Sequence, residues 1–497
     1  MNIAQHVERA QRLFPDKTAL IFEQQSWTYT ELNAHANRVA NLLRGLGVGQ
    51  GDRVALMLPN IPAFVFTYLG VQKIGAIAVS INTMLKSSEV KFILSDCGAE
   101  VLVTTGELRA QVPDDQLPDL RHVIVAEGSA ANALSLDELM ARASDQAQAV
   151  ERERDDPAAI LYTSGTTGFP KGATLSQGNL IFNSYAKNFY CGMRPEDRLL
   201  LFLPLFHCFG QNAVMNSAFN ACATLILHRS FVPDQVLASI ARDKPTMFFG
   251  VPTIFILMLS RAIPPAELSS LRYYFSAAAP LPVEIAQQWY ETYGIVINEG
   301  YGLTETSPFA CYNHPFKYKL GSVGMPIGNV ELRVIDEDGR EVSTGELGEL
   351  IIRGPNVMLG YWNRPVETAQ VLRNGWFYTG DIGRVDEQGY VYIVDRSKDM
   401  INVSGLKVYP VEVENVLYGH PAVAEAAVYG ISDPIMGEMV KAKIVLKAGQ
   451  SATVGELMAF CHQQLATFKV PRKIEFVTSL PKNATGKILK RVLREQE

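Results

Sequence analysis

The sequence contains no run approaching the roughly 18 consecutive apolar residues of a membrane helix, although hydrophobic types make up 47% of its 497 residues. It also has no block of Lys and Arg. The 45 basic and 51 acidic residues leave a formal charge of −6, which removes the electrostatic footprint of a nucleic-acid binder or a polybasic membrane anchor. The opening residues lack a basic region followed by an apolar stretch, so no secretory leader is expected. The six cysteines (Cys97, Cys191, Cys208, Cys222, Cys311 and Cys461) are scattered, with no CxxC pair and no His cluster at metal-ligand spacing. That usage argues against a disulfide framework or a structural zinc and for a reducing compartment. Repeats and low-complexity linkers are missing too. The expectation is a soluble, cytoplasmic chain, apolar and long enough to fill more than one core.

What is present is alternation. From Thr30 the spacing of Leu32, Ala36, Val39 and Leu43 predicts a helix, with Gly47 beyond its end and an apolar strand at Val54 to Leu58. A helix from about Ala63, a strand at Ile77 to Ile81, a helix at Glu89 to Leu94 and a strand at Val101 to Val103 continue the pattern, which predicts a parallel sheet covered by helices. After about residue 310, turn-rich segments such as LRVIDEDGRE and GELGELIIRG suggest a β-rich subdomain. The last hundred residues read as a small α+β domain, with a helix from Val411, strands near Ala426 and Lys441 to Leu446, a helix around Leu457 to Leu465 and a strand at Ile474 to Val477. The fold class expected is α/β: a large multi-subdomain unit over 1–394 and a small mobile α+β domain over 395–497.

The chemistry begins after the apolar strand Ala158 to Leu161, in the segment YTSGTTGFPKG from Tyr162 to Gly172. Gly165 and Gly168 let backbone N–H groups approach an anion, Thr163, Ser164, Thr166 and Thr167 add hydroxyl donors, and Lys171 adds a point charge. A plain surface turn needs neither this density of donors nor a fixed lysine. It is not a Walker loop, because Gly172 follows the lysine where Ser or Thr is required. The segment resembles the signature loop of the adenylate-forming superfamily of acyl-CoA synthetases, luciferases and peptide-synthetase adenylation domains. Further motifs in the expected order extend the resemblance over essentially the whole chain.

Glu299, Gly300, Tyr301, Gly302, Thr304 and Glu305 fall in one segment, EGYGLTE. The tyrosine can stack on a purine, Thr304 can donate to a phosphate, and Glu305 can hold Mg²⁺ beside phosphate oxygens. These are the family roles of the matching positions. Ala278, Ala279 and Pro280 offer small residues against which an adenine can lie, and Asp381, just past a tight turn, can accept ribose hydroxyls. The resemblance makes Asp395 the hinge of the C-terminal domain, puts Arg396 near the nucleotide and makes Lys487 the catalytic lysine bridging the acid and the α-phosphate. It also implies that the loop at Gly405 moves in for the second half-reaction. In place of the family's frequent Ser-His-x-Asn, this chain has Ser176-Gln-Gly-Asn179, so no histidine role carries over there.

The implied reaction is activation of a carboxylic acid by ATP with Mg²⁺ to acyl-AMP, then transfer to a thiol: coenzyme A, or the phosphopantetheine of an acyl carrier protein. His207, in LPLFH, is the expected ring near the carboxylate. The stretch after it, Cys208 to Thr224, holds no charged residue, which favours an apolar monocarboxylic acid, since an unpaired buried charge is costly. Phe209, Gly210, Val214, Met215, Ala218, Gly250 and Val251 are the expected acid-pocket residues, the four-residue spacing of Gly210, Val214 and Ala218 suggesting room for a chain along one helix face. PLFHCFGQ, FFGVPTIF and FSAAAPLP most resemble medium- or long-chain fatty acyl-CoA synthetases, with coumarate-like aryl acids the alternative. A luciferase-like oxygenase, a nucleotide-binding relative without turnover, and a homodimer all stay open.

Overall fold

The computed structural model describes residues 1–113, 117–163, 170–314, 317–396, 399–433, 436–483 and 486–497. The predicted alternation begins at Thr28. Its hydroxyl accepts from the Glu31 N–H while the Glu31 carboxylate accepts from the Thr28 N–H, a reciprocal cap that starts the helix Tyr29–Gly45. Leu32, Ala36, Val39 and Leu43 lie on its buried face. Strand and helix then repeat through Arg53–Met57, Pro62–Lys73, Ile77–Ser80, Ser87–Cys97 and Val101–Thr104, and the three strands pair in parallel.

This first sheet is not parallel throughout. Pro157–Thr163 joins it beside Ile77–Ser80, and Lys171–Ser176 then turns back antiparallel with Thr163 opposite Lys171. The two strands that flank the glycine-rich segment therefore form a hairpin. A second sheet carries Met247–Gly250, Tyr273–Ser276 and Ile297–Gly302 in parallel, and Phe309–Tyr312 folds back antiparallel on the last. The carboxyl ends of such strands are where open α/β sheets bind ligands.

The β-rich unit expected after residue 310 is a sheet of Glu331–Ile335, Gly348–Arg353, Trp376–Val385 and Leu372–Arg373, with Val391–Arg396 paired to Trp376–Val385 so that Asp381 faces Arg396. Beyond it, Val423–Asp433 and Gly437–Leu446 form a long antiparallel pair, and Lys473–Phe476 adds in parallel. The helices Pro410–Tyr418 and Val454–Gln464 bury Val413, Leu417, Leu457 and Cys461 in a core that is separate from the rest. Among the described residues, no helix is long and apolar enough to cross a membrane.

Candidate active site

A cleft of about 770 Å³ opens where the ends of the parallel strands, the hairpin, the β-rich sheet and the segment before the last helix converge. Of the residues singled out from sequence, Thr163, Lys171, His207, Phe209, Ala278, Gly302, Thr304, Glu305, Arg396 and Lys487 line it. Ser164, Gly165, Thr166, Thr167 and Gly168 lie outside the described residues. Glu299, Gly300, Tyr301, Ala279, Pro280 and Asp381 are not among the lining residues, although Ala279, Tyr301 and Asp381 adjoin them in the chain. The tyrosine ring is buried, and its hydroxyl donates to Asp381 Oδ2 at 2.6 Å. The other oxygen of that carboxylate is 3.1 Å from Arg396 Nε. Each oxygen thus has one protein partner and a lone pair left for a ribose hydroxyl.

Gly302 is placed by necessity, since a Cβ there would fall 1.7 Å from the Pro308 carbonyl oxygen. This close approach folds the chain into the short turn Thr304–Thr306 and turns Thr304 and Glu305 toward the cleft. Thr304 Oγ1 lies 3.5 Å from Cys208 Sγ. Glu305 accepts from the Tyr361 hydroxyl at 2.9 Å, and the Lys171 ammonium stands 5.3 Å from the centre of that tyrosine ring. Burial raises the Glu305 pKa, while Tyr361 and Arg396 pull it down. Tyr361 sits on Gly360–Tyr361, a short strand held antiparallel against the hairpin; it was not read from sequence, where LGYWNR carries no motif.

His207 Nδ1 accepts the Phe209 N–H at 3.2 Å, so its proton is carried on Nε2. Burial, with the charge of Lys487 beside it, lowers its pKa to about 4, and the ring is a neutral donor at physiological pH. Lys487 enters from the C-terminal unit on a small hairpin in which its N–H donates to Asn483 Oδ1 at 2.9 Å. It stays open to the water of the cleft, yet the surrounding protein, and then Arg396, lower its pKa to about 8. Gly486, next to it, has φ +81°, and a Cβ there would approach Thr253 Oγ1 to 2.9 Å. The hairpin that delivers the lysine is therefore docked directly on the large unit.

The expected acid-pocket residues divide. Phe209 forms the inner wall, but Val214, Met215 and Ala218 are fully buried in the core, and they, Gly250 and Val251 stand apart from the cleft lining. The segment Phe209–Asn216 is a π-helix, and Ala218 lies past its end on the short α-helix Ser217–Asn220. Gly210 does not leave room for a chain: a Cβ there would lie 2.4 Å from the Pro204 carbonyl oxygen, so backbone fills the space. Gly405 has φ +87° at an exposed turn between Ile401–Val403 and Leu406–Val408 and is not among the cleft-lining residues. Gln177, where the family often has histidine, is a core link: its amide donates to Gln72 Oε1 at 2.9 Å and accepts the Ile3 N–H at 2.8 Å.

Residues 7–362 match the model of the AMP-binding enzyme family, and 412–487 match that of the AMP-binding enzyme C-terminal domain. The chain belongs to the AMP-binding enzyme family. Similar AMP-binding enzymes include a feruloyl-CoA synthase of Amycolatopsis sp, 38% identical over 98% of this chain and 97% of the relative. A long-chain-fatty-acid–CoA ligase of Bacillus subtilis is 37% identical over 97% of this chain and 92% of the relative. Among solved structures, an anthranilate CoA ligase in complex with anthranoyl-AMP superposes with TM-score 0.94 at 34% identity, covering 100% of this chain and 97% of that one. ATP-bound MatB from Rhodopseudomonas palustris follows at TM-score 0.93 and 34% identity over 100% and 99%. An ATP-dependent, AMP-forming acid–CoA ligase is the enzyme this membership gives.

Proposed function

We propose that this AMP-forming ligase activates compact, ring-bearing carboxylic acids, an aryl class, before transfer to coenzyme A. The observation that supports this is the inner wall of the cleft. Phe209 and Phe309, which line the cleft, and the fully buried Phe275 meet edge to face, with centroids 5.2 to 6.2 Å apart and planes 75° to 87° from one another, an arrangement that offers aromatic surface to a flat guest. The fatty acid expected from sequence is the second reading. It is favoured by the uncharged stretch that follows His207 and by likeness to the long-chain ligase.

In the adenylation step, the carboxylate attacks the α-phosphate and negative charge shifts to the departing pyrophosphate. Lys487 and the Nε2–H of His207 hold the carboxylate, while Lys171 and Thr304 face the phosphates. Donors fixed in place before the charge develops are worth roughly 3 to 4 kcal/mol each. Among the described residues, no group of three His, Cys, Asp or Glu is placed to hold a metal ion, but Mg²⁺ that arrives with phosphates needs only one or two carboxylates. Glu305, lining the cleft opposite Lys171, fits that need, and a bound Mg²⁺ would neutralise phosphate charge. The aspartate at 395 accepts from the N–H groups of Arg396 and Val411 at 2.7 and 3.0 Å, tying the last strand of the β-rich sheet to the first helix of the C-terminal unit. In our reading this is the hinge on which that unit turns between half-reactions.

Acid-dependent exchange of pyrophosphate into ATP across aryl, medium-chain, long-chain and amino acids tests the substrate class. Exchange strongest with aryl acids is expected, and exchange confined to long-chain acids would overturn the reading.

A further inference from the structure

Behind the phenylalanine wall lies a charge that adenylation does not use. Lys187 is on the helix Gln177–Cys191, whose face toward the strand Phe309–Tyr312 repeats every four residues. Asn183 donates to the carbonyls of Thr306 and Phe309 at 3.3 and 3.0 Å, and Cys191 Sγ is 2.9 Å from the Tyr312 hydroxyl. Lys187 sits between them and is 2% exposed. Among the described residues, no oxygen or nitrogen accepts a hydrogen bond from its Nζ. Four rings enclose the ammonium, with centroids at 3.3 Å for Phe275, 4.3 Å for Phe309, 4.9 Å for Phe249 and 5.0 Å for Tyr312. Burial lowers its pKa to about 8, against the opposing pull of the Cys191 thiol beside it.

Ring quadrupoles stabilise a buried cation by about 2 kcal/mol or more, but they supply no hydrogen-bond acceptor, and an ammonium has three donors. Leaving such donors unmade in a low dielectric is costly. The donors stand against two rings: Phe309, which lines the cleft, and Phe275, which is fully buried. With Nζ 4.3 Å from the centre of the Phe309 ring, the ammonium lies within one ring of the cleft.

We infer that Lys187 is a specificity residue of the acid site: it selects ring-bearing acids that carry a hydrogen-bond-accepting oxygen, such as a phenolic hydroxyl, at the end away from the carboxylate. The inference rests on the aryl reading above and deepens it. An incoming oxygen supplies the missing oxygen acceptor, whereas an unsubstituted ring or an alkyl end leaves the ammonium with the Cys191 thiol alone beside it.

The test uses the whole enzyme and matched pairs of acids, benzoic and 3-phenylpropenoic acid each with its 4-hydroxy analogue, read as the ratio of kcat/KM for pyrophosphate exchange within a pair. Wild-type enzyme is expected to favour the hydroxylated member of at least one pair by about tenfold or more, a preference that collapses in Lys187→Met and keeps its sign in Lys187→Arg. A purely structural lysine would change both members of a pair alike. Exchange with aryl acids at a wild-type ratio near one in both pairs, or a ratio that Lys187→Met leaves unchanged, overturns the inference while the aryl reading stands. Exchange with alkyl acids alone overturns both. The wild-type ratio decides by itself should Lys187→Met fail to accumulate.

Discussion

At the scale of single residues the cleft is governed by two side chains whose protonation is moved in the same direction for different uses. His207 is held neutral by burial, with a pKa of about 4, and its Nδ1 is occupied by the Phe209 N–H, so it offers Nε2–H across the working pH range. Lys487, at about 8, is charged at pH 7 and loses its proton as pH rises through that value. Adenylation kcat/KM, which reports groups of the free enzyme, is therefore expected to be flat from about pH 5 to 7 and to fall above about 8. Replacement of Lys487 by Arg, which stays charged, should lower the plateau and move the alkaline limb upward. A pH–rate profile of pyrophosphate exchange checks this, and an unmoved limb in Lys487→Arg would assign the titration to another group. Lys187 was passed over in the sequence because a lysine between Asn183 and Cys191 reads as a solvated helix face. Only the strand packed against that face shows the charge to be buried.

Elements were legible wherever local pattern and tertiary environment agree. The helix Tyr29–Gly45 was visible from its apolar spacing, the strands at Arg53–Met57 and Ile77–Ser80 from continuous burial on both faces, and the order of units in the C-terminal part from its period changes. Two elements were not. The antiparallel return of Lys171–Ser176 depends on pairing with Pro157–Thr163, which alternation of strand and helix does not announce. The π-helix Phe209–Asn216 depends on partners distant in sequence: Gln211 Nε2 donates to Ser80 Oγ at 2.7 Å and Asn212 Nδ2 to the Ser307 carbonyl at 2.6 Å. Helical spacing pointed Gly210, Val214 and Ala218 at a shared wall of the acid site, whereas among the described residues none of the three lines the cleft. Because a methyl at Gly210 would meet the Pro204 carbonyl at 2.4 Å, Gly210→Ala should cost roughly 1 to 3 kcal/mol of stability. That would appear as a lower denaturation midpoint with an unchanged slope. A variant as stable as wild type, with an altered preference for acid length, would restore the pocket role read from sequence.

For the whole molecule, the arrangement described here delivers Lys487 into the cleft and leaves Gly405 at an exposed turn, where the neighbouring Lys407 pairs at 2.8 Å with Glu337, in the turn just past the strand Glu331–Ile335. That pair is exposed on both sides and holds the unit only weakly, which suits the proposed swing about Asp395. Under the proposed division of labour the present arrangement serves acid activation, and thioester formation needs the lysine withdrawn and the turn at Gly405 brought in. The most direct measurement follows both half-reactions in single turnovers of Lys487→Ala, with folding verified by circular dichroism. Adenylate formation from acid and ATP is expected to fall by at least about 10²- to 10³-fold, while transfer to coenzyme A from preformed acyl adenylate proceeds at close to the wild-type rate. Equal loss in both half-reactions, from a folded variant, would contradict the account.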